Sequence, residues 1–413
     1  QLRKPNPNFA NLAQPPTLSL EQMQTELDDN AALVEYSLGE QRSYLWIVTK
    51  NNFQSFVLPK GNEIEAQARK FYETLIQSDN SSRVRPLDKK QETKQPPIKN
   101  FKEEAEKLSH MIRIEKLANL SAKRLIFVAD GALNLIPFSS LTLSETNPTV
   151  IADKFETSQL PSLTTLQIIR QQNIKPFASN SLAIIADPVF SMSDERLSKK
   201  RNKQNTVEND LAATLRDFSL TSIPRLPFSR IEAQKIADSL PNNSVLNLDF
   251  KASRERLLNG EFDRYDILHF ATHGFLNNEH PELSGLVLSL VDEKGNQQNG
   301  FLRTQDLYLL KIKPQMVVLS ACQTGLGKQV GNEGLIGLTR GFLANGTPRI
   351  ISTLWKVDDA ATAEFMSRFY RALLKENKKP AAALKTAQNE LKAIPRYAHP
   401  RYWAGFVLTG EWR

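Results

Sequence analysis

Two residue types that together support nucleophilic catalysis stand at the ends of two apolar runs. Cys322, the single cysteine of the 413-residue chain, ends the run "VVLSAC", and His273 ends the run "ILHFATH". A free thiol with a pKa near ~8.5 is mostly protonated at neutral pH, and a neighbouring imidazole can accept its proton. The pair predicts a thiol–imidazole dyad. The alternative is a small core cysteine, because cysteine is among the most buried residue types.

Backbone amides beside the dyad would complete this chemistry. Attack of a thiolate on an amide carbonyl creates an oxyanion, which needs N–H donors. Gly274 follows the histidine, and glycine lets the backbone approach a substrate closely. We predict that the amides of Gly274 and Cys322 donate these hydrogen bonds.

Strands that alternate with helices must position the dyad. Apolar strands over 181–190, 265–276 and 316–325 are separated by helical segments, which predicts an α/β fold with a mainly parallel sheet and helices on both faces. Ligands bind beyond the carboxyl ends of such strands. If the strands of His273 and Cys322 are neighbours, about 4.8 Å apart, their side chains face each other across one cleft.

The length of the chain indicates two domains. We predict an N-terminal unit over 1–178 and a catalytic unit over 179–413. Within the first we expect a helix over 17–32, a β-meander over 32–59, a helix over 62–76 and a flexible loop over 77–100. Residues 191–217 are polar and predict a mobile loop; its basic run at 199–203 is a solvated charge run or, alternatively, a processing site.

The bulk composition narrows the class of protein. Hydrophobic residues make up 40% and charged residues 24%, as is typical of soluble globular proteins, and no apolar run has membrane-spanning length. The net charge of +8 favours acidic partners weakly, but without a basic stripe interleaved with aromatics we expect no direct nucleic-acid contact. One cysteine cannot form an intrachain disulfide, which fits a reducing, cytoplasmic compartment. Because the chain starts with Gln1, we expect it to be a piece of a longer protein.

The motifs "HFATHG" (269–274) and "LSACQTG" (319–325), about fifty residues apart, resemble the CHAT domain. This caspase-like cysteine peptidase domain, often found behind tetratricopeptide repeats, belongs to the group of caspases, separases and gingipains. The resemblance extends over most of the chain. Further matching stretches are "LPSLTTL" (160–166), "GLTRGFLANGTPRIISTLWKVDD" (337–359) and "HPRYWAGFVLTGE" (399–411).

The resemblance implies a function and a set of site residues. His273 would be the base and Cys322 the nucleophile of a cysteine endopeptidase, with Gly274 and Cys322 as oxyanion donors and no cofactor. The N-terminal unit would be a degenerate caspase-like unit, since it holds His110 and no cysteine. The expected partners are a protein or peptide substrate and a regulatory protein or upstream tetratricopeptide repeats.

Three acids that follow strands are candidates for substrate binding: Asp187, Asp358 and Asp359. Similarity to the separase and metacaspase pattern implies recognition of a basic residue before the scissile bond, because a carboxylate attracts arginine or lysine and disfavours acidic residues. The alternatives are structural. Asp358 or Asp359 can cap a helix that starts near residue 360, and Asp187 before a proline can shape a turn.

Other functions stay open on the sequence alone. A zinc site from His269, His273 and Cys322 is disfavoured, because ligands four residues apart usually lie on a helix; we favour His269 as a core residue. The glycine-rich stretch 325–337 departs from the Walker pattern, since Lys328 precedes glutamine, and leaves a nucleotide-responsive switch as a weak alternative. A catalytically silent scaffold for a protein partner is the main alternative to a peptidase.

Overall fold

The structure is a computed structural model that describes most of the chain. The described residues are 17–76, 98–143, 149–171, 181–197, 223–275, 284–308, 310, 312–320 and 333–413. They form two compact units. The first consists of Leu18–Leu163 and Gln388–Val407, and the second contains Thr164–Ala387 and Leu408–Arg413. The chain therefore leaves the first unit earlier than the predicted boundary at 178 and returns to it near its end.

The first unit is built on a mixed sheet. Its strands are β1 (Ala31–Ser37), β2 (Ser43–Thr49), β3 (Asn52–Leu58), β4 (Arg124–Val128) and β5 (Glu156–Gln159). The order is β3-β2-β1-β4-β5; the first three form an antiparallel meander, and β4 pairs in parallel with both β1 and β5. The predicted meander over 32–59 is confirmed.

Helices accompany this sheet. They are α1 (Leu20–Thr25), α2 (Gly61–Ile76), α3 (Ile98–Met111) and α4 (Ile151–Lys154). Short 3₁₀ turns lie at Ile114–Leu117, Gly131–Leu135, Phe138–Ser140, Pro395–Tyr397 and Pro400–Tyr402. The helix expected over 17–32 is shorter, because the Ser19 side chain caps it at one end and β1 begins at Ala31. In the loop expected over 77–100, residues 98–100 are helical, and the rest lies outside the described residues.

The second unit holds a parallel sheet and a small antiparallel one. The parallel pairs join β6 (Leu182–Pro188) to β7 (Ser244–Asp249), β6 to β8 (Ile267–Ala271), β8 to β12 (Met316–Leu319), and β12 to β13 (Arg349–Thr353). β14 (Phe406–Gly410) lies beside β13. The antiparallel sheet has the order β11-β10-β9, from β9 (His273–Phe275), β10 (Gly285–Val287) and β11 (Phe301–Arg303).

Helices alternate with these strands along the chain, which confirms the predicted α/β fold with a mainly parallel sheet flanked by helices. They are α5 (Leu163–Gln171), α6 (Pro227–Ser239), α7 (Arg254–Leu258), α8 (Thr304–Leu307), α9 (Glu333–Ala344), α10 (Asp359–Tyr370) and α11 (Pro380–Lys392). A π-helical turn, Arg371–Lys375, extends α10. In the part of the chain that the structure describes, no helix combines the length and the apolarity needed to cross a bilayer.

The core of the second unit lies on the strands that lead to the candidate site. All five residues of β8 are buried, as expected for a parallel strand covered on both faces. Phe270 of β8 is fully buried in a cluster that includes Leu268, Val317 and Phe342. This packing fixes β8 and thereby the segment that follows it.

We expect Phe270→Ala to lower the free energy of unfolding by about 3–5 kcal/mol, because it removes a buried ring and leaves a cavity. Denaturant unfolding followed by circular dichroism measures the change. Phe228→Ala is the matched control, since Phe228 is 53% exposed and its truncation should change stability by less than about 0.5 kcal/mol. Equal losses in the two variants would contradict the assignment of the core.

Candidate active site

The two strands that lead to His273 and Cys322 are parallel neighbours, as predicted. Leu319 of β12 lies opposite Phe270 of β8, and the amide of Ser320 donates to the carbonyl of Phe270 at 2.9 Å. Cys322 itself lies outside the described residues, as do 325–332 of the glycine-rich stretch.

The strand that carries His273 is interrupted. A single strand over 265–276 was expected, but β8 ends at Ala271 and His273 begins β9 in the other sheet. At the break, the Thr272 hydroxyl donates to the carbonyl of Val287 on β10. The expectation was wrong because the apolar pattern continues through the break. The break carries His273 and Gly274 out of the parallel sheet, and Gly274 lies opposite Leu286 on β10.

The His273 imidazole is enclosed and held at one nitrogen. The residue is 2% exposed, and its ring lies 5.2 Å from the Phe190 ring, centroid to centroid. Nε2 lies 2.7 Å from the carbonyl oxygen of Pro224. Since a carbonyl only accepts hydrogen bonds, Nε2 carries the proton in this contact. Nδ1 is buried and has no hydrogen-bond partner among the residues that the structure describes. It therefore holds the lone pair that a general base needs.

Burial lowers the pKa of His273 below its ordinary value of 6.5. The hydrogen bond to the Pro224 carbonyl acts in the opposite direction, and the positive charge of Lys356 lowers the pKa further. The neutral imidazole is thus the form favoured near neutral pH, which is the form that accepts a proton.

Asp187 lies at the end of β6 in a cluster of charges. Its side chain is fully buried, and its carboxylate oxygens lie 2.7–3.2 Å from guanidinium nitrogens of Arg196, Arg225 and Arg230. Arg196 and Arg230 also bind Asp249 at the end of β7. Asp187 therefore already has the guanidinium partners that the sequence interpretation expected from a substrate.

The acids at residues 358 and 359 lie at the start of α10. Asp358 Oδ1 accepts a hydrogen bond of 3.0 Å from the Ala361 amide. Asp358 therefore caps the helix, which is the structural alternative expected from the sequence. Asp359 is an exposed residue, yet the atoms around its carboxyl remove part of its hydration and raise its pKa. Lys356 opposes this rise in pKa, whereas Asp358 and Glu232 add to it. The charge of Lys356 thus acts on the pKa of both Asp359 and His273.

His269 is a core residue, as predicted, and it is fully buried. Its Nδ1 lies 3.0 Å from the Tyr370 hydroxyl, and its Nε2 lies 3.1 Å from Glu232 Oε1. Both ring nitrogens are therefore engaged, which argues against the zinc alternative. Within the described ranges, no group of three or more His, Cys, Asp or Glu residues has the geometry to hold a metal ion.

The site also contains groups that the sequence interpretation missed. Pro224 and Phe190 contact His273, and the charge of Lys356 lowers its pKa. Three arginines bind Asp187: Arg196, Arg225 and Arg230. A backbone carbonyl such as that of Pro224 has no side-chain signature. The arginines are spread over 35 positions and converge only through the fold.

The low pKa of His273 predicts a dependence of stability on pH. The unfolded chain takes up a proton on this residue near pH 6.5, whereas the folded protein does so only at lower pH. The free energy of unfolding should therefore fall as the pH drops through about 6.5, and stop falling below the folded pKa. We expect an NMR titration of the imidazole, assigned with His273→Gln, to give a pKa below 6.5. A value at or above that of the urea-unfolded chain would contradict this description.

Comparison with known sequences gives one family over most of the chain. Residues 102–411 match the CHAT domain. Tetratricopeptide repeat protein 28 of Homo sapiens is 27% identical over 323 residues, which cover 70% of this chain and 12% of that protein. The Mus musculus protein of the same name is 38% identical over 110 residues, covering 27% of this chain and 4% of that protein. The chain thus spans a small part of these relatives.

Two solved structures show the degree of structural similarity. The Saccharomyces cerevisiae separase–securin complex at 3.0 Å resolution matches with a TM-score of 0.48 and 11% identity, covering 94% of this chain and 30% of that one. The complex of RgpB pro- and mature domains from Porphyromonas gingivalis matches with a TM-score of 0.42 and 9% identity, covering 85% and 76%.

Proposed function

Because the chain belongs to the CHAT family, we propose that it is a cysteine endopeptidase in which His273 is the base and Cys322 the nucleophile. The observation that carries this proposal is the state of His273. The imidazole is buried, its Nε2 is bound to the Pro224 carbonyl, and its Nδ1 has no hydrogen-bond partner in the described part of the chain. A neutral imidazole with one nitrogen fixed and the other available is what proton transfer from a thiol requires.

The register of β8 and β12 supports the choice of Cys322. Ser320 is bound through its amide to Phe270, and Cys322 follows it by two residues. His273 follows Phe270 by three residues. Because two residues span at most roughly 7 Å, we propose that the thiol lies close to the end of β8.

The proposed reaction uses four groups. Nδ1 of His273 accepts the proton of the Cys322 thiol, and the thiolate attacks the carbonyl carbon of the scissile amide. The amides of Gly274 and Cys322 donate hydrogen bonds to the resulting oxyanion. The imidazolium then gives its proton to the leaving amine, and a thioester remains. Nδ1 then takes a proton from water, and the hydroxide attacks the thioester carbonyl. The C–S bond breaks, the acid product leaves, and the imidazolium returns its proton to the Cys322 thiolate.

We assign the preference for a basic residue before the scissile bond to Asp359, with Asp358 beside it. The pKa of Asp359 is raised because the surrounding atoms remove part of the hydration of its carboxyl, so a bound guanidinium or ammonium would stabilise its ionised form. Asp358 contributes its charge while one oxygen caps α10. Asp187, whose carboxylate is already bound by arginines, receives a different role below.

The proposed partners are a protein or peptide substrate and a regulatory protein. The curated relatives are named for tetratricopeptide repeats and are much longer than this chain. We therefore propose that such repeats, or a protein that binds them, control access to the site. A reducing, cytoplasmic location agrees with a free catalytic thiol.

Cys322→Ala and His273→Ala should each lower kcat/KM on a cleavable peptide by about three orders of magnitude or more, because the thiol and the imidazole act as a unit. Turnover of a fluorogenic peptide library by the purified chain measures the change. His110→Ala is the control, since this exposed histidine lies in the first unit and should leave activity unchanged.

The native chain and the His273→Ala variant also distinguish a peptidase from a catalytically silent scaffold. In a peptidase, iodoacetamide should alkylate Cys322 readily, and His273→Ala should slow the alkylation because the base is lost. An unreactive thiol in a folded protein without peptide turnover would favour the scaffold.

Asp359→Asn should lower kcat/KM for substrates with arginine or lysine before the scissile bond by roughly 10–100-fold, the value of one hydrogen bond between charged groups. Substrates with an uncharged residue there should change little. The control is Asp263→Asn, which removes an exposed carboxylate elsewhere in the second unit and should leave kcat/KM unchanged. Cleavage by the native protein after acidic residues would contradict the assignment.

A further inference from the structure

We propose that Arg225 and Asp187 are positioning residues that hold the Pro224 carbonyl against Nε2 of His273. The inference rests on the proposed function for its role in catalysis, and it adds a second pair of residues to the dyad. It also gives Asp187 a purpose other than substrate binding.

The link begins with a forked ion pair beside Pro224. Arg225 Nε lies 3.0 Å from Asp187 Oδ1, and Arg225 Nη2 lies 2.9 Å from Asp187 Oδ2. Two parallel hydrogen bonds between a guanidinium and a carboxylate fix the plane of both groups as well as their distance. Because Arg225 follows Pro224 directly in the chain, this pair restrains the peptide whose carbonyl contacts His273.

Asp187 is itself a fixed anchor. It is fully buried, and its amide donates to Ser229 Oγ at 3.0 Å. Arg230 Nε contacts Asp187 Oδ2 at 2.7 Å. The aspartate therefore binds both ends of the segment from Arg225 to Arg230, which includes the start of α6.

Apolar packing restrains Pro224 from the other side. Ile223 is 8% exposed and belongs to a cluster with Phe190 and Phe275. Phe190 packs against the His273 ring, and Phe275 lies on the same strand as His273. Pro224 thus lies between Ile223, which packs in an apolar cluster, and Arg225, which is bound to Asp187. The apolar cluster includes Phe190, which contacts the His273 ring.

The consequence concerns the location of the imidazole proton. A carbonyl at Nε2 selects the tautomer protonated there and leaves Nδ1 able to accept a proton from the thiol. If the carbonyl moves away, the proton can occupy Nδ1, and the base is lost in that fraction of molecules. The Pro224 bond also raises the pKa of His273 against the effect of burial, so its loss should lower the pKa further.

The test uses Arg225→Gln and Asp187→Asn in the full chain, with two readouts. The first is the tautomer of His273, read from its imidazole ¹⁵N shifts above the histidine pKa; we expect the Nε2-protonated form in the native protein and a mixture in each variant. The second is kinetic. We expect kcat to fall by roughly 10–100-fold, part of what a general base contributes, and the acidic pKa of the kcat/KM profile to move to lower pH.

Matched variants make the result specific. Arg254→Gln breaks another forked pair, in which Nε and Nη2 lie 3.2 and 2.7 Å from Asp306, and should leave tautomer and kcat unchanged. Arg225→Lys keeps the charge without the fork and should restore part of the tautomer selection, which provides a folded variant if Arg225→Gln does not fold. In a positioning role, the loss of kcat is the same for substrates with basic and uncharged residues before the scissile bond.

Two outcomes would overturn the inference. An unchanged tautomer in folded Arg225→Gln or Asp187→Asn shows that the pair does not position the carbonyl. A loss of kcat/KM that is confined to substrates with a basic residue, and that comes mainly from a higher KM, would show that Asp187 acts in substrate binding. Failure of the proposed function is separate, because a native chain without peptidase activity still yields the tautomer readout.

Discussion

The parallel pairing of β8 with β12 is the constraint on which the candidate site depends. It sets Leu319 opposite Phe270, and both strands are buried along their full length. A shift of the register by one residue would turn every side chain of a strand to the opposite face of the sheet, where it would have to be repacked. The proposed thiol–imidazole dyad depends on this register, because β8 and β12 end at the same edge of the sheet. The break at Thr272 then turns His273 into a second sheet. There its ring is enclosed by Phe190 and held by Pro224.

The charges around the histidine are arranged so that none neutralises it directly. A carboxylate partner would raise the pKa of an imidazole and keep it protonated, whereas burial and Lys356 lower the pKa of His273. Asp187, which the proposal connects to His273 through Arg225 and Pro224, forms ion pairs with arginines and not with the imidazole. Its φ of +47° and that of Asp249 at +55° lie in the left-handed region, which costs a residue other than glycine on the order of 1–3 kcal/mol. The guanidinium groups that both aspartates bind offset part of this cost.

The sequence was informative where local pattern and structure agree. Buried strands such as β6 and β8 are visible as apolar runs, whereas the break between β8 and β9 at Thr272 is not. β5 was not predicted, because its sequence Glu-Thr-Ser-Gln carries no apolar pattern and it becomes a strand through pairing such as that with β4. The contact of Pro224 with His273 joins positions 49 apart through a backbone atom. Such contacts, like the meeting of Arg196 and Arg225 at Asp187, depend on the path of the whole chain and leave no mark on any short window.

His269 links two helices of the second unit through its side chain. A single buried ring bonds to Glu232 on α6 through one nitrogen and to Tyr370 on α10 through the other. α6 begins just after Pro224 and Arg225, and α10 begins at Asp359. Moving either helix away would leave one nitrogen of the buried His269 ring without its hydrogen-bond partner, at a cost of about 1–3 kcal/mol. One buried imidazole therefore couples α6 to α10, so that the segment before α6, which contacts His273, and the start of α10 are each attached to a helix that cannot move independently of the other.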